Sequence, residues 1–197
     1  SDAILAKSGI HIDDHAGLNI RELRTAANIM KRKHGIKHLI VDYLQLMSGV
    51  DERGRSRENI ISEISRGLKV IAKELNITVI ALSQLSREVE KRPDKMPQLS
   101  DLRESGSIEQ DADEVIFLMR PEYYEMLGSV EIGGQEYDPK GLVICKVAKN
   151  RHGSPKGIPL YFNAPCMTFT DKPPESTGFA RIVQHYYEPQ QTEDEPF

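Results

Sequence analysis

A chain of 197 residues is long enough for one domain with a sizeable core, and 39% hydrophobic with 28% charged residues is an ordinary globular balance. No apolar stretch approaches the roughly 18 to 20 residues of a membrane span, and the opening Ser1-Asp2-Ala3-Ile4-Leu5 has no basic region followed by an apolar one, as a secretory signal would. The net charge of −4 argues against a general nucleic-acid coat, which needs excess Lys and Arg, but leaves room for a local basic contact. Cys145 and Cys166 sit in apolar surroundings without CxxC spacing and read as reduced core thiols. The six histidines show no ligand-like spacing and read as solvated or core residues.

Ile20, Leu23, Ala27 and Met30 recur at helical spacing, Asn19 and Glu22 form a capping-box pattern and Gly35 offers a stop, so 19–33 is predicted to be a helix. Leu39-Ile40-Val41 is short, apolar and β-branched, as for a strand buried on both faces, and it ends in Asp42. The charged segment 51–57 leads into Ile60, Ile64, Leu68, Ile71 and Leu75, the core face of a long amphipathic helix. Residues 77–82 read as a second buried strand, with Ser83 and Gln84 at its carboxyl end. Together these make a strand–helix–strand unit that favours a parallel pairing. The stretch 86–110, with Pro93, Pro97 and a Ser105-Gly106-Ser107 turn, reads as loop with short helical pieces. Residues 115–119 and 142–147 are further strands, and 121–140 is a polar connection without a clear pattern. Residues 153–157 carry turn chemistry between strands 143–148 and 158–162, with 167–170 pairing as a third to give an antiparallel edge. From Asp171 onward the composition is that of a mobile tail, acidic at its end.

In a parallel sheet, ligands bind beyond the carboxyl ends of the strands, and two adjacent predicted strands end there in Asp42 and Gln84. An acid and an amide facing one crevice match the arrangement by which nucleotide motors hold magnesium and sense a terminal phosphate. Taken singly, a strand-end Asp is more often a loop cap. In the same way, Lys149 and Arg151 read from composition as a solvated pair at a hairpin end.

Four blocks carry a family resemblance. Residues 39–47 (LIVDYLQLM) resemble the Walker B strand of DnaB-type replicative helicases, and 81–87 (ALSQLSR) resemble the strand and glutamine switch that follow it. The thirteen residues 101–113 (DLRESGSIEQDAD) resemble that family's DNA-facing loop and adjoining helix, and 149–153 (KNRHG) its basic finger. The resemblance implies a RecA-like α/β core, a mostly parallel sheet flanked by helices, here incomplete at its N-terminal strands. Residues 1–172 would belong to the motor and 173–197 to a C-terminal extension. It implies that Asp42 holds magnesium through water and that Gln84 couples the γ-phosphate of ATP to the DNA-facing loop. Arg103, Glu104 and Gly106 would contact the phosphates of single-stranded DNA, Arg103 by charge and the other two by backbone N–H groups. Lys149 and Arg151 would reach ATP on a neighbouring subunit of a homo-hexamer. The implied whole is a cytoplasmic, nucleoid-associated helicase that moves 5′ to 3′ and works with a primase and a loader. A RecA-like recombinase, or a non-catalytic helicase remnant serving as a binding module, are the alternatives.

One element of that family's chemistry is missing from these residues. No GxxxxGK run followed by Ser or Thr occurs in the 197 residues, and that loop is what cradles phosphates. The chain is therefore expected to begin downstream of it, to lack ATPase activity alone, and to expose a sheet edge where upstream strands would pair.

Overall fold

The computed structural model describes residues 8–51, 53–126 and 128–173, with backbone alone at 103–105. It divides into two compact units, one of residues up to 115 with 148–154, the other of 116–147 with those from 155 onward.

In the first unit, α1 (Ile20–His34) starts with the predicted capping box. Asn19 Oδ1 accepts from the N–H groups of Arg21 and Glu22, and Glu22 Oε2 accepts from Asn19 N at 2.9 Å. Gly35, at φ 63°, ends it and donates to Lys31 O. Strand β1 (His38–Val41) follows, then α2 (Arg57–Leu75), capped by the Ser56 hydroxyl at one end and by Asn76 in a left-handed conformation at the other. Strand β2 (Thr78–Ala81) pairs with β1 in parallel, Leu39 opposite Val79 and Val41 opposite Ala81. The apolar face of α2 supplies Ile60, Ile61, Ile64, Leu68 and Ile71 to a core that Ala27, Leu44, Met47 and Ile77 complete. Each such burial stabilises by roughly 1.5–3 kcal/mol, so α2 is the fold's principal anchor.

The two strands are not buried on both faces. Leu39, Val41 and Val79 lean on the core, whereas Ile40 is 64% and Ile80 48% exposed. Side chains alternate along a strand, and the core lies against only one face among the described residues.

After β2 come 3-10 turns at Arg87–Lys91 and Leu99–Ser105, and the latter runs directly into α3 (Gly106–Asp111). The predicted Ser105-Gly106-Ser107 turn is thus a junction of two helical pieces. Gly106 has φ −52° and ψ −20°, so the chain does not reverse there.

Strand β3 (Glu114–Met119) enters the second unit, where the sheet order is β3–β6–β7–β8, with β6 (Leu142–Asn150), β7 (Lys156–Asn163) and β8 (Thr168–Thr170) antiparallel in sequence. This is the antiparallel edge expected from the turn at 153–157. The connection that had no clear pattern holds a 3-10 turn (Pro121–Tyr124) and a hairpin of β4 (Val130–Ile132) and β5 (Gln135–Tyr137). Its two turn residues, Gly133 and Gly134, both have positive φ, as a tight hairpin requires. Cys145 and Cys166 are free thiols, but Cys166 is exposed instead of core, because it lies in the turn that swings the chain from β7 to β8. No described helix is long and apolar enough to cross a membrane. The predicted tail lies outside the described residues from 174 onward.

Candidate nucleotide and nucleic-acid site

Asp42 and Gln84 follow the carboxyl ends of neighbouring parallel strands, and the backbone zips those ends together: Leu82 N donates to Val41 O and Leu44 N to Leu82 O, each at 2.9 Å. Gln45 does the rest of the lacing. Its Nε2 donates to Ser83 Oγ at 3.0 Å, and its Oε1 accepts from Gln84 N at 3.2 Å. Arg57, at the start of α2, holds the Gln45 backbone by donating to its carbonyl at 2.6 Å. Gln45 was not singled out in the sequence. Its signal was an amide inside an otherwise apolar run.

Asp42 is exposed. A single solvent-facing carboxylate suits magnesium, which keeps most of its waters and takes one or two carboxylates plus phosphate oxygens. As a donor type Asp42 would therefore fit a hydrated magnesium ion, and Gln84 lies past the end of the neighbouring strand.

From Gln84 the chain reaches Ser86, whose N–H donates to Asp101 O at 3.1 Å. Asp101 is 4% exposed and is gripped on both oxygens by Arg92, at 3.0 Å to Oδ1 and through a short second bond to Oδ2, while Gln98 N also donates to Oδ2. The hydrogen bonds it donates to Asp101 raise the Arg92 guanidinium above its ordinary value. Bidentate pairing of this kind fixes direction as well as energy. The strand end that carries Gln84 is thereby tied to the head of the Leu99–Ser105 turn, on whose backbone Arg103 and Glu104 lie, with Gly106 exposed at the start of α3.

Lys149 and Arg151 stand at the end of β6 and the turn after it. They do not join the Asp42–Gln84 strand ends. Lys149 Nζ donates to Glu109 O, and Arg151 Nη2 donates to Gln110 O at 2.9 Å. Arg151 also reaches Asp113, by its N–H to the backbone oxygen at 3.0 Å and by Nη1 to Oδ1 at 3.3 Å. Lys69 of α2 pairs with the other carboxylate oxygen of Asp113. That hydrogen bond, reinforced by the charges of Arg151 and His152, holds Asp113 below its ordinary carboxylate range.

Away from this region Asp13, Asp14 and His15 bring their ligand atoms within 4.8 Å of one another on an exposed loop. Spacing had shown no such group, because adjacent residues cluster only through the local turn.

Comparison with known proteins covers nearly all of the described chain. The DnaB-like helicase C-terminal domain family matches residues 2–171. The replicative DNA helicase DnaB of Rickettsia felis is 48% identical over 81% of this chain and 34% of its own length. The replicative DNA helicase DnaC of Bacillus subtilis is 46% identical over 80% and 33%. Among solved structures, a DnaB-like replicative helicase described with its primase interactions has a TM-score of 0.73 at 42% identity, covering 82% of this chain and 37% of that one. A related ATPase domain has a TM-score of 0.78 at 41% identity, covering 87% and 58%. The fold is the RecA-like α/β fold of these neighbours, incomplete here, and the chain spans about a third of the length of the curated relatives it matches. A match over residues 2–171, with relatives close to half identical in residues, settles the family: this chain belongs to the DnaB-like helicase C-terminal domain family.

Proposed function

We propose that these residues form the sensing, strand-contacting and trans-acting part of an ATP-driven replicative helicase subunit that moves 5′ to 3′ along single-stranded DNA as a homo-hexameric ring. The carrying observation is the continuous tie from the Asp42–Gln84 strand ends, through Gln45 and Ser86, to Asp101 and the segment that follows it. When bound, magnesium–ATP would supply the free energy. Asp42 would hold the ion through water, and Gln84 would read the terminal phosphate and pass its state to residues 101–106. Arg103 neutralises a strand phosphate, while the Glu104 and Gly106 backbones donate to the next. Lys149 and Arg151 serve the nucleotide of a neighbouring subunit, where a cation delivered in trans contributes on the order of a thousandfold or more in rate.

Residues 1–172 belong to the motor on this reading, and 173–197 form a C-terminal extension. The ring acts in the cytoplasm, at the nucleoid, with primase and a loader as partners. That a related solved structure is described with its primase interactions supports the primase part.

In the complete subunit, Arg103→Ala tests the strand contact. Losing one phosphate contact flattens the plot of log affinity for single-stranded DNA against log salt by about 0.7, with nucleotide affinity little changed. An unchanged slope removes Arg103 from the strand path.

A further inference from the structure

A helix leaves its last carbonyls without partners inside the helix, and cations there are favoured by the aligned peptide dipoles. At the end of α3 two such carbonyls, those of Glu109 and Gln110, accept from Lys149 and Arg151 respectively. The two cations read as fingers are thus seated on a helix that begins at Gly106, the glycine assigned to the strand. Six residues of α-helix span only about 9 Å, so a displacement at one end of α3 has little length over which to dissipate.

Asp113 holds this seat. It binds Arg151 twice, by backbone oxygen and by carboxylate, and its second carboxylate oxygen takes Lys69 from α2. Two residues earlier, Asp111 Oδ2 accepts from Ser65 Oγ at 2.9 Å, a second tie to α2. A half-exposed ion pair alone is worth about 0–1 kcal/mol, too little to matter for stability. Its geometry is more telling than its energy, because it points one guanidinium along one helix end.

We propose that Asp113 is a positioning residue for the finger: it fixes Arg151 against α3, so that a shift of residues 103–106 on a strand's phosphates is passed through the Glu109 and Gln110 carbonyls to Lys149 and Arg151. This rests on the proposed roles of Arg103, Gly106, Lys149 and Arg151. Asp113 touches neither strand nor nucleotide. It sets how strongly one is felt at the other.

The test uses the complete hexamer carrying Asp113→Asn, Asp113→Glu or Arg151→Ala, with turnover measured across ATP concentrations with and without single-stranded DNA. Asp113→Asn is expected to lower the stimulation of kcat by DNA at least about fivefold, the lower end of ordinary coupling factors. Its KM for ATP and its affinity for the strand stay near wild type, and Asp113→Glu, which keeps the charge, recovers the stimulation. Wild-type stimulation in Asp113→Asn overturns the proposal, as does a loss matched by weaker ATP or strand binding. Arg151→Ala separates the two levels. If it loses turnover while Asp113→Asn keeps its stimulation, only the positioning role fails; if Arg151→Ala itself keeps full turnover, the finger reading fails.

Discussion

Around Asp42 the nearby polar side chains are already committed to one another: Gln45 binds Ser83 and the Gln84 backbone, and Arg57 binds the Gln45 carbonyl. The carboxylate is left facing solvent at a strand end, which is where a hydrated cation can be met. Asp13 and His15 show the opposite arrangement, two charges partnered with each other. The hydrogen bond between the His15 ring and the Asp13 carboxylate raises His15 above its ordinary 6.5 and lowers Asp13. A raised histidine contributes its stability below the unfolded value and loses it as pH rises through the folded one. A chemical-shift titration of His15 should therefore have its midpoint above 6.5, falling back toward it in Asp13→Asn. A wild-type midpoint at or below 6.5 would show that the pair does not persist in solution. Asp113 has the reverse sign: its pairing is present above the usual carboxylate range and lost as pH falls through its lowered value.

At the scale of elements, the close approach of α1 to α2 depends on Gly67. A Cβ there would lie 2.2 Å from Ile20 Cγ1, near the root of a branched side chain that has little room to yield. Alanine gains up to about 1 kcal/mol of helix propensity over glycine, but overpacking costs about 1–3 kcal/mol. Gly67→Ala should therefore destabilise on balance, seen as a lower urea midpoint with an unchanged slope; a higher midpoint would mean that the helices separate freely. Asp101→Ala should cost about 2 kcal/mol or more. An unfolding midpoint in urea should show that loss, and it should fall short of the 3–5 kcal/mol of a fully buried pair if the 26% exposure of the Arg92 side chain lets water take the place of the carboxylate.

These elements differ in how far the sequence revealed them. Periodicity and capping residues marked α1, β1, α2 and β2, because those signals lie within a few residues of each other. The β4–β5 hairpin leaves little trace in the sequence beyond Gly133-Gly134 at its turn, since its strands are only three residues long and barely alternate. Asp42 and Gln84 were legible as strand ends. The roles of Gln45, Asp101 and Asp113 were not. Lys69 is 44 residues from Asp113 and Gln45 is 38 from Ser83, and pairings at such separations are fixed by packing alone.

For the molecule as a whole, the open faces are as informative as the core. Ile40, Ile80 and Leu82 in the first unit and Ile116 and Leu118 in the second are each 45% exposed or more. Exposed apolar strand faces of this kind attract further chain. The 197 residues alone are expected to self-associate, with a weight-average mass in sedimentation that rises with concentration, and to show no magnesium-dependent turnover. A monomer at all concentrations, or measurable hydrolysis, would contradict this. Above all, Asp42 and Arg151 are proposed to serve one nucleotide from two different subunits, and the most direct measurement is complementation between two inactive variants of the complete helicase. Asp42→Ala and Arg151→Ala subunits should each form rings without turnover. Mixed before assembly, they should regain it, because some junctions then carry an intact Asp42 on one side and an intact Arg151 on the other. If the mixed rings assemble and bind ATP but remain inactive, the two residues do not meet across a subunit boundary, and the trans-acting role of Arg151 is wrong.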